Sequence, residues 1–144
     1  MIGMTSCSHV SVFKLSIAAI AAIFLPSCSV APPQSVCGIV EQRASLEDRT
    51  VRLKAEGIFA AHGVSLTDRN CPGERIIWRE TPEFAETDQA DALSSAALRE
   101  RFTRFRNLEV DVTGTLQTNS RGDLEIVVAE VHSFRPLEGS SPLE

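Results

Sequence analysis

Two imidazoles and two thiols hold most of the chemical capacity in the body of this 144-residue chain: His62, His132, Cys37 and Cys71. Together they form a two-Cys, two-His donor set, the composition that holds zinc in a tetrahedron. Spacing argues against that use, because no C-x-x-C or H-x-x-x-H separation lets one turn present two ligands. Either histidine could instead serve a metal-dependent hydrolase as base or ligand, together with nearby acids. That reading stands as the alternative to a non-catalytic protein. It lacks a nucleophile, since Ser65, Ser94 and Ser95 have no nucleophile-elbow context, and no Gly-rich loop precedes a helix to cradle phosphate. No cofactor motif is found. Glu47 with Asp48, and Glu86 with Asp88, read as solvated loop and helix-start charges.

Anion binding is the second chemistry to weigh. Arg99, Arg101, Arg104 and Arg106 interleave with Phe102 and Phe105, a mixture that could contact nucleic acid or anionic lipid. Helical spacing puts Leu93, Ala97, Leu98, Phe102 and Phe105 on one apolar stripe. The phenylalanines are therefore expected inside, with the arginines as a solvated helix end. The formal charge of −5 also argues against polyanionic partners such as nucleic acid. Single-strand binders stack bases on exposed aromatic side chains. Here there is no Tyr, and Trp78 is the one Trp.

The elements that must position these residues follow from periodicity. Ser35 to Leu46 repeats Val36, Ile39, Val40 and Ala44 at helical spacing, with Cys37 on or near the buried side. Thr50 to Ala60 alternates Val51, Leu53 and Ala55 with charged residues until Gly57 interrupts, as in a half-buried strand with a kink. A turn at Ala61-His62-Gly63, a strand Val64 to Asp68, a loop at 69–73 and a strand Arg75 to Arg79 come next. Thr81-Pro82-Glu83 can open a helix, and Ala90 to Arg106 forms a longer one. Leu108 to Gln117 alternates again and carries Gly114. A turn at 118–122 leads to a last strand, Leu124 to His132.

Three strands, a helix and two strands, with a glycine in the first and fourth, is the order of an OB-fold, the five-stranded Greek-key barrel. Gly57 and Gly114 would let long strands coil where side chains would resist. Between Val36 and Val131 the chain resembles small exported bacterial proteins with an OB-fold, mostly uncharacterised lipoproteins. The resemblance rests on Cys37 in a leading helix, Val51-Arg52-Leu53-Lys54-Ala55-Glu56-Gly57, Leu66-Thr67-Asp68 leading to Cys71-Pro72, and Val110-Asp111-Val112-Thr113-Gly114. It implies a binding or stress-related envelope protein and carries no catalytic residues with it.

The amino terminus supplies the address. Lys14 precedes an apolar run from Leu15 to Leu25, and no acidic residue appears before Glu41, which is the layout of a secretory signal. Leu25-Pro26-Ser27-Cys28 resembles the bacterial lipoprotein signal, in which the Cys receives a diacylglycerol before cleavage. Pro26 departs from the family's usual small residue. Two other readings remain beside it: ordinary cleavage near Ser29-Val30-Ala31, and a transmembrane anchor, for which the run is short of the ~20 residues a bilayer needs.

If the resemblance holds, Cys7 leaves with the signal, together with His9, and Cys28 carries the lipid. Cys37 and Cys71 then remain as one pair, which in an oxidising envelope is expected to form a disulfide. Removing the segment that contains Lys14 takes the formal charge from −5 to −6. The expected organisation is a signal at 1–27, a lipidated Cys with spacer at 28–34, an OB-fold domain at 35–136 and a flexible tail at 137–144. The function expected is non-catalytic binding or assembly through a face near Trp78, His62 and Arg121. Its partners would be the membrane, through the lipid, and an envelope protein or small ligand. A purely structural role in envelope integrity is the remaining alternative. Ser29 is not the Asp that retains enterobacterial lipoproteins in the inner membrane, which implies outer-membrane delivery, facing the periplasm, in a host with two membranes.

Overall fold

The computed structural model describes residues 32–103 and 107–138. The signal, Cys28, spacer residues 29–31, Arg104, Phe105, Arg106 and the tail beyond Glu138 lie outside these residues.

Five strands, β1 (Thr50–Ala60), β2 (Gly63–Thr67), β3 (Arg75–Glu80), β4 (Leu108–Thr118) and β5 (Leu124–Pro136), close into a ring ordered β1-β2-β3-β5-β4. All neighbours are antiparallel except β3 and β5, which run parallel from Ile77 opposite Glu125 to Glu80 opposite Val128. A parallel pair cannot be joined by a tight turn. Alternation decides which residues fill the ring. Val51, Leu53 and Ala55 of β1 are buried with Val110, Val112 and Leu116 of β4, while Arg52 and Lys54 face outward.

β1 is shared between two partners. Thr50 to Gly57 pairs with β4, and Glu56 to Ala60 pairs with β2. Gly57 therefore sits where the strand changes partner and must bend. Gly114 lies at a register shift in the β4–β5 ladder, where a Cβ would fall 2.5 Å from the carbonyl oxygen of Val127. Close backbone approach, rather than bending alone, demands the glycine there.

Helices close both ends of the ring. α1 (Val36–Glu41) is capped by Ser35, whose hydroxyl accepts from the Gly38 N–H at 3.1 Å. It sends Val36 and Ile39 into the core, and Val40 lies beside the β2–β3 and β4–β5 connections. The helix expected over 35–46 is two helices, because the chain turns at Gln42 into α2 (Arg43–Leu46), and Ala44 is exposed. At the other end, α3 (Pro82–Ala85) is capped by Thr81, and α4 (Asp88–Leu98) by Thr87. α4 buries Ala90, Leu93, Ala96 and Ala97 against the same core.

The helix expected to run to Arg106 changes character after Leu98, where Arg99–Thr103 forms a π-helical turn. The extra residue per turn breaks the 3.6 period on which the expected stripe depended. Glu100 rotates inward and is buried. Leu98, the last residue of α4, is 59% exposed, and Phe102, within the π-helical turn, is 62% exposed. The expectation that they face the core is thereby corrected. β5 also continues past His132 to Pro136, pairing with Leu108 to Asp111. Its polar Ser133 and Arg135 gave no sign of that.

Candidate functional site

Trp78, His62 and Arg121 do not form one face. Trp78 is 6% exposed and belongs to the core, paired across to Val64 and Ile126, with its ring 6.3 Å from that of Phe59. In Ile76-Ile77-Trp78 every residue is apolar, so alternation could not say which faced inward. Register put Ile76 and Trp78 inside and Ile77 outside. The Trp78 Nε1 is buried without a hydrogen-bond partner among the described residues. His62 is exposed on the turn leaving β1, above a shallow hollow of about 230 Å³ shared with Ser65, Arg75 and Ile77. Arg121 lies on the β4–β5 turn, beside the residues that enter β1, where Glu47 accepts from the N–H of Thr118 at 2.7 Å. The two turns are thus at opposite ends of β1.

The two-Cys, two-His set is not assembled either. Cys37 and Cys71 are joined in a disulfide, with their Cα atoms 5.7 Å apart, which fastens α1 to the loop between β2 and β3. Asp68 brings a carboxylate oxygen within 4.8 Å of both sulfurs, but those sulfurs are bonded to one another. His132 stands elsewhere, with Nε2 2.7 Å from Thr113 Oγ1 and Nδ1 3.5 Å from Glu130. Hydroxyl, imidazole and carboxylate follow the connectivity of a nucleophile relay. They stand on the outer side of β4 and β5 with Glu130 60% exposed, so water screens the contact and no wall holds a substrate.

Below this histidine the outer face of β1, β4 and β5 is a charge lattice. Arg52 donates to both carboxylate oxygens of Asp111, at 2.9 and 2.8 Å. This fork holds the Asp111 carboxyl below the usual carboxylate range, its hydrogen bonds and charge prevailing over partial burial. Glu109 is lowered likewise, first by the hydrogen bond from Arg135 at 2.7 Å and then by Lys54 at 3.1 Å. Glu56 accepts from Asn107 at 2.7 Å and from Arg69 at 3.4 Å. A hollow of about 450 Å³ opens beside Gln34, Lys54, Glu56 and Arg69. Because its charges are matched internally, this face offers no net sign to a charged ligand.

A different surface is unmatched. Between the β1–β2 hairpin and the end of α4 lies an apolar hollow of about 420 Å³, walled by Phe59, Ala61, Val64, Ala97, Leu98 and Phe102. Among the described residues Ser94 supplies the one polar side chain of its lining. Arg99 and Arg101 flank the exposed pair and have no ion-pair partner among the described residues. Sequence periodicity missed this site because it assumed an uninterrupted α-helix; the run of arginines was its one visible signal.

Fold and surface thus define a small disulfide-linked β domain, filled inside and apolar at one outer hollow. No family model, curated protein or solved structure matches the chain.

Proposed function

We propose that this chain is a cell-envelope lipoprotein, acylated at Cys28, whose OB-fold domain works as a non-catalytic binding or assembly module. The ring order, with its parallel β3–β5 pair and helical connection from β3 to β4, supports the OB-fold reading. The Cys37–Cys71 disulfide supports an oxidising compartment. Outer-membrane delivery rests on Ser29 alone. The partners of this reading are the membrane, through the amino-terminal lipid, and a further envelope component at the outer surface.

One observation carries the binding role. The interior is filled by side chains and closed at both ends, whereas Leu98 and Phe102 are held in solvent beside an apolar hollow. Single apolar residues on a surface need no explanation, but a patch marks a place of contact. Recognition is therefore expected on the outside of the ring. The hydrolase alternative keeps one specific observation, the Thr113–His132–Glu130 contacts. Ester hydrolysis by the purified chain that disappears in Thr113→Val would establish it.

Mass spectrometry of the processed polypeptide from cells tests the address. The expected species begins at Cys28, carries a diacylglycerol, and has two sulfurs that resist alkylation in native material. An unmodified terminus beyond residue 28, or two freely alkylatable thiols, would overturn it. Crosslinking in intact cells then identifies the further partner.

A further inference from the structure

We infer that the hollow beside Leu98 and Phe102 is a docking site for an anionic phospholipid surface, with the apolar pair entering the interface and Arg99 and Arg101 meeting headgroup phosphates. This names the partner of the outer surface described above, and so rests on the binding reading. It does not depend on acylation of Cys28.

Two observations select this occupant. Among the described residues the wall side chains offer Ser94 alone for hydrogen bonding, so an extended peptide seated there would leave backbone N–H and C=O groups unpaired at a cost, whereas an acyl chain has none to pair. Charge is the second observation. In a chain of net charge −5, Arg99 and Arg101 form a local cationic site directly beside the exposed apolar pair. That combination, apolar side chains with arginines at their flank, is the one that holds an element in the plane of an anionic bilayer interface. The acidic remainder of the chain would be repelled, which orients the contact.

Nucleic acid, the other polyanion, fits less well, since the described site is an apolar hollow rather than a basic groove, with Phe102 its one exposed aromatic ring among the described residues.

Amide hydrogen exchange over residues 97–102 of the full chain tests this, with vesicles of phosphatidylcholine alone or phosphatidylcholine containing phosphatidylglycerol. Flotation reports attachment through the amino terminus separately. Exchange is expected to slow severalfold on the anionic vesicles only. The effect should vanish at about 1 M salt, where the screening length falls to ~3 Å. It should also vanish in Leu98→Asp/Phe102→Asp and in Arg99→Glu/Arg101→Glu, both surface changes, with unaltered exchange in β1 and β4 as the control for folding. Unchanged exchange on a floated chain would overturn the inference while leaving the lipoprotein reading intact. Equal slowing on neutral vesicles, persistence in the charge-reversed variant, or slowing by a single-stranded oligonucleotide in place of vesicles would overturn it too.

Discussion

A Cβ at position 114 would stand 2.5 Å from the carbonyl oxygen of Val127 and 2.8 Å from Cγ1 of Ile126. β4 and β5 approach each other there more closely than any side chain permits. The contact atom is backbone within a paired strand and cannot swing away. Gly114→Ala is expected to lower stability by about 2–3 kcal/mol through forced strand separation. Gly57→Ala should cost less, because its 2.8 Å neighbour is the edge of the Phe59 ring, which can rotate. Urea unfolding of the two variants checks the ranking.

The disulfide closes a separation of 34 residues between Cys37 and Cys71. On the chain-entropy argument, such a cross-link contributes about 3–4 kcal/mol by restricting the unfolded chain. Cys37→Ser/Cys71→Ser is expected to lose that amount in denaturant titration. The loss should appear first as exchange of the amides of α1, since the bond is what fastens this end plug to the β2–β3 loop.

Trp78 offers an unusual substitution. Its ring fills the core, yet its indole N–H is buried without a partner among the described residues, a burden of about 1–3 kcal/mol for such a group. Trp78→Phe removes the donor while leaving a small cavity beside Phe59, and the two effects oppose each other. Stability within about 1 kcal/mol of the parent is expected by circular dichroism. A loss comparable to a large-to-small core truncation would mean that the N–H is satisfied in solution.

Arg52 and Asp111 give the fold an acid-sensitive term. The Asp111 carboxyl is held below its unfolded value, so its stabilisation is fully present above about pH 4 and is lost as pH falls through the lowered folded value. Glu109, lowered by Arg135 and Lys54, acts in the same direction. Asp111→Asn should therefore melt several degrees below the parent at neutral pH, with the gap closing under acid. Melting temperatures across ~pH 2–7 would show it. A gap that is constant with pH would assign the effect to packing instead.

The elements themselves were largely legible. β1 spans Thr50–Ala60 as alternation indicated, Thr81 caps α3, and His62 sits in a turn. These are local matters, decided within a few residues by side-chain period and turn chemistry. The site was not legible in the same way. Trp78 was expected on a binding face and lies in the core, because a strand apolar at every position leaves its inward side to be settled by register with β2 and β5. Leu98 and Phe102 were expected inside and stand outside: Phe102 lies in a π-helical turn that breaks the period on which its placement depended, and Leu98 is the last residue of α4 before that turn.

From sequence alone came the number and order of the strands and the two Gly positions in the long ones, since each depends on residue type and short-range spacing, while the pairing of Cys37 with Cys71 followed from the resemblance that assigns Cys7 and Cys28 elsewhere. Tertiary structure decided which faces are covered. It closed the ring, plugged both ends with α1 and α4, matched the charges of β1, β4 and β5 to one another, and left Leu98 and Phe102 unmatched. Coverage is a property of what lies across the fold from a residue, and that neighbour is far away in the chain.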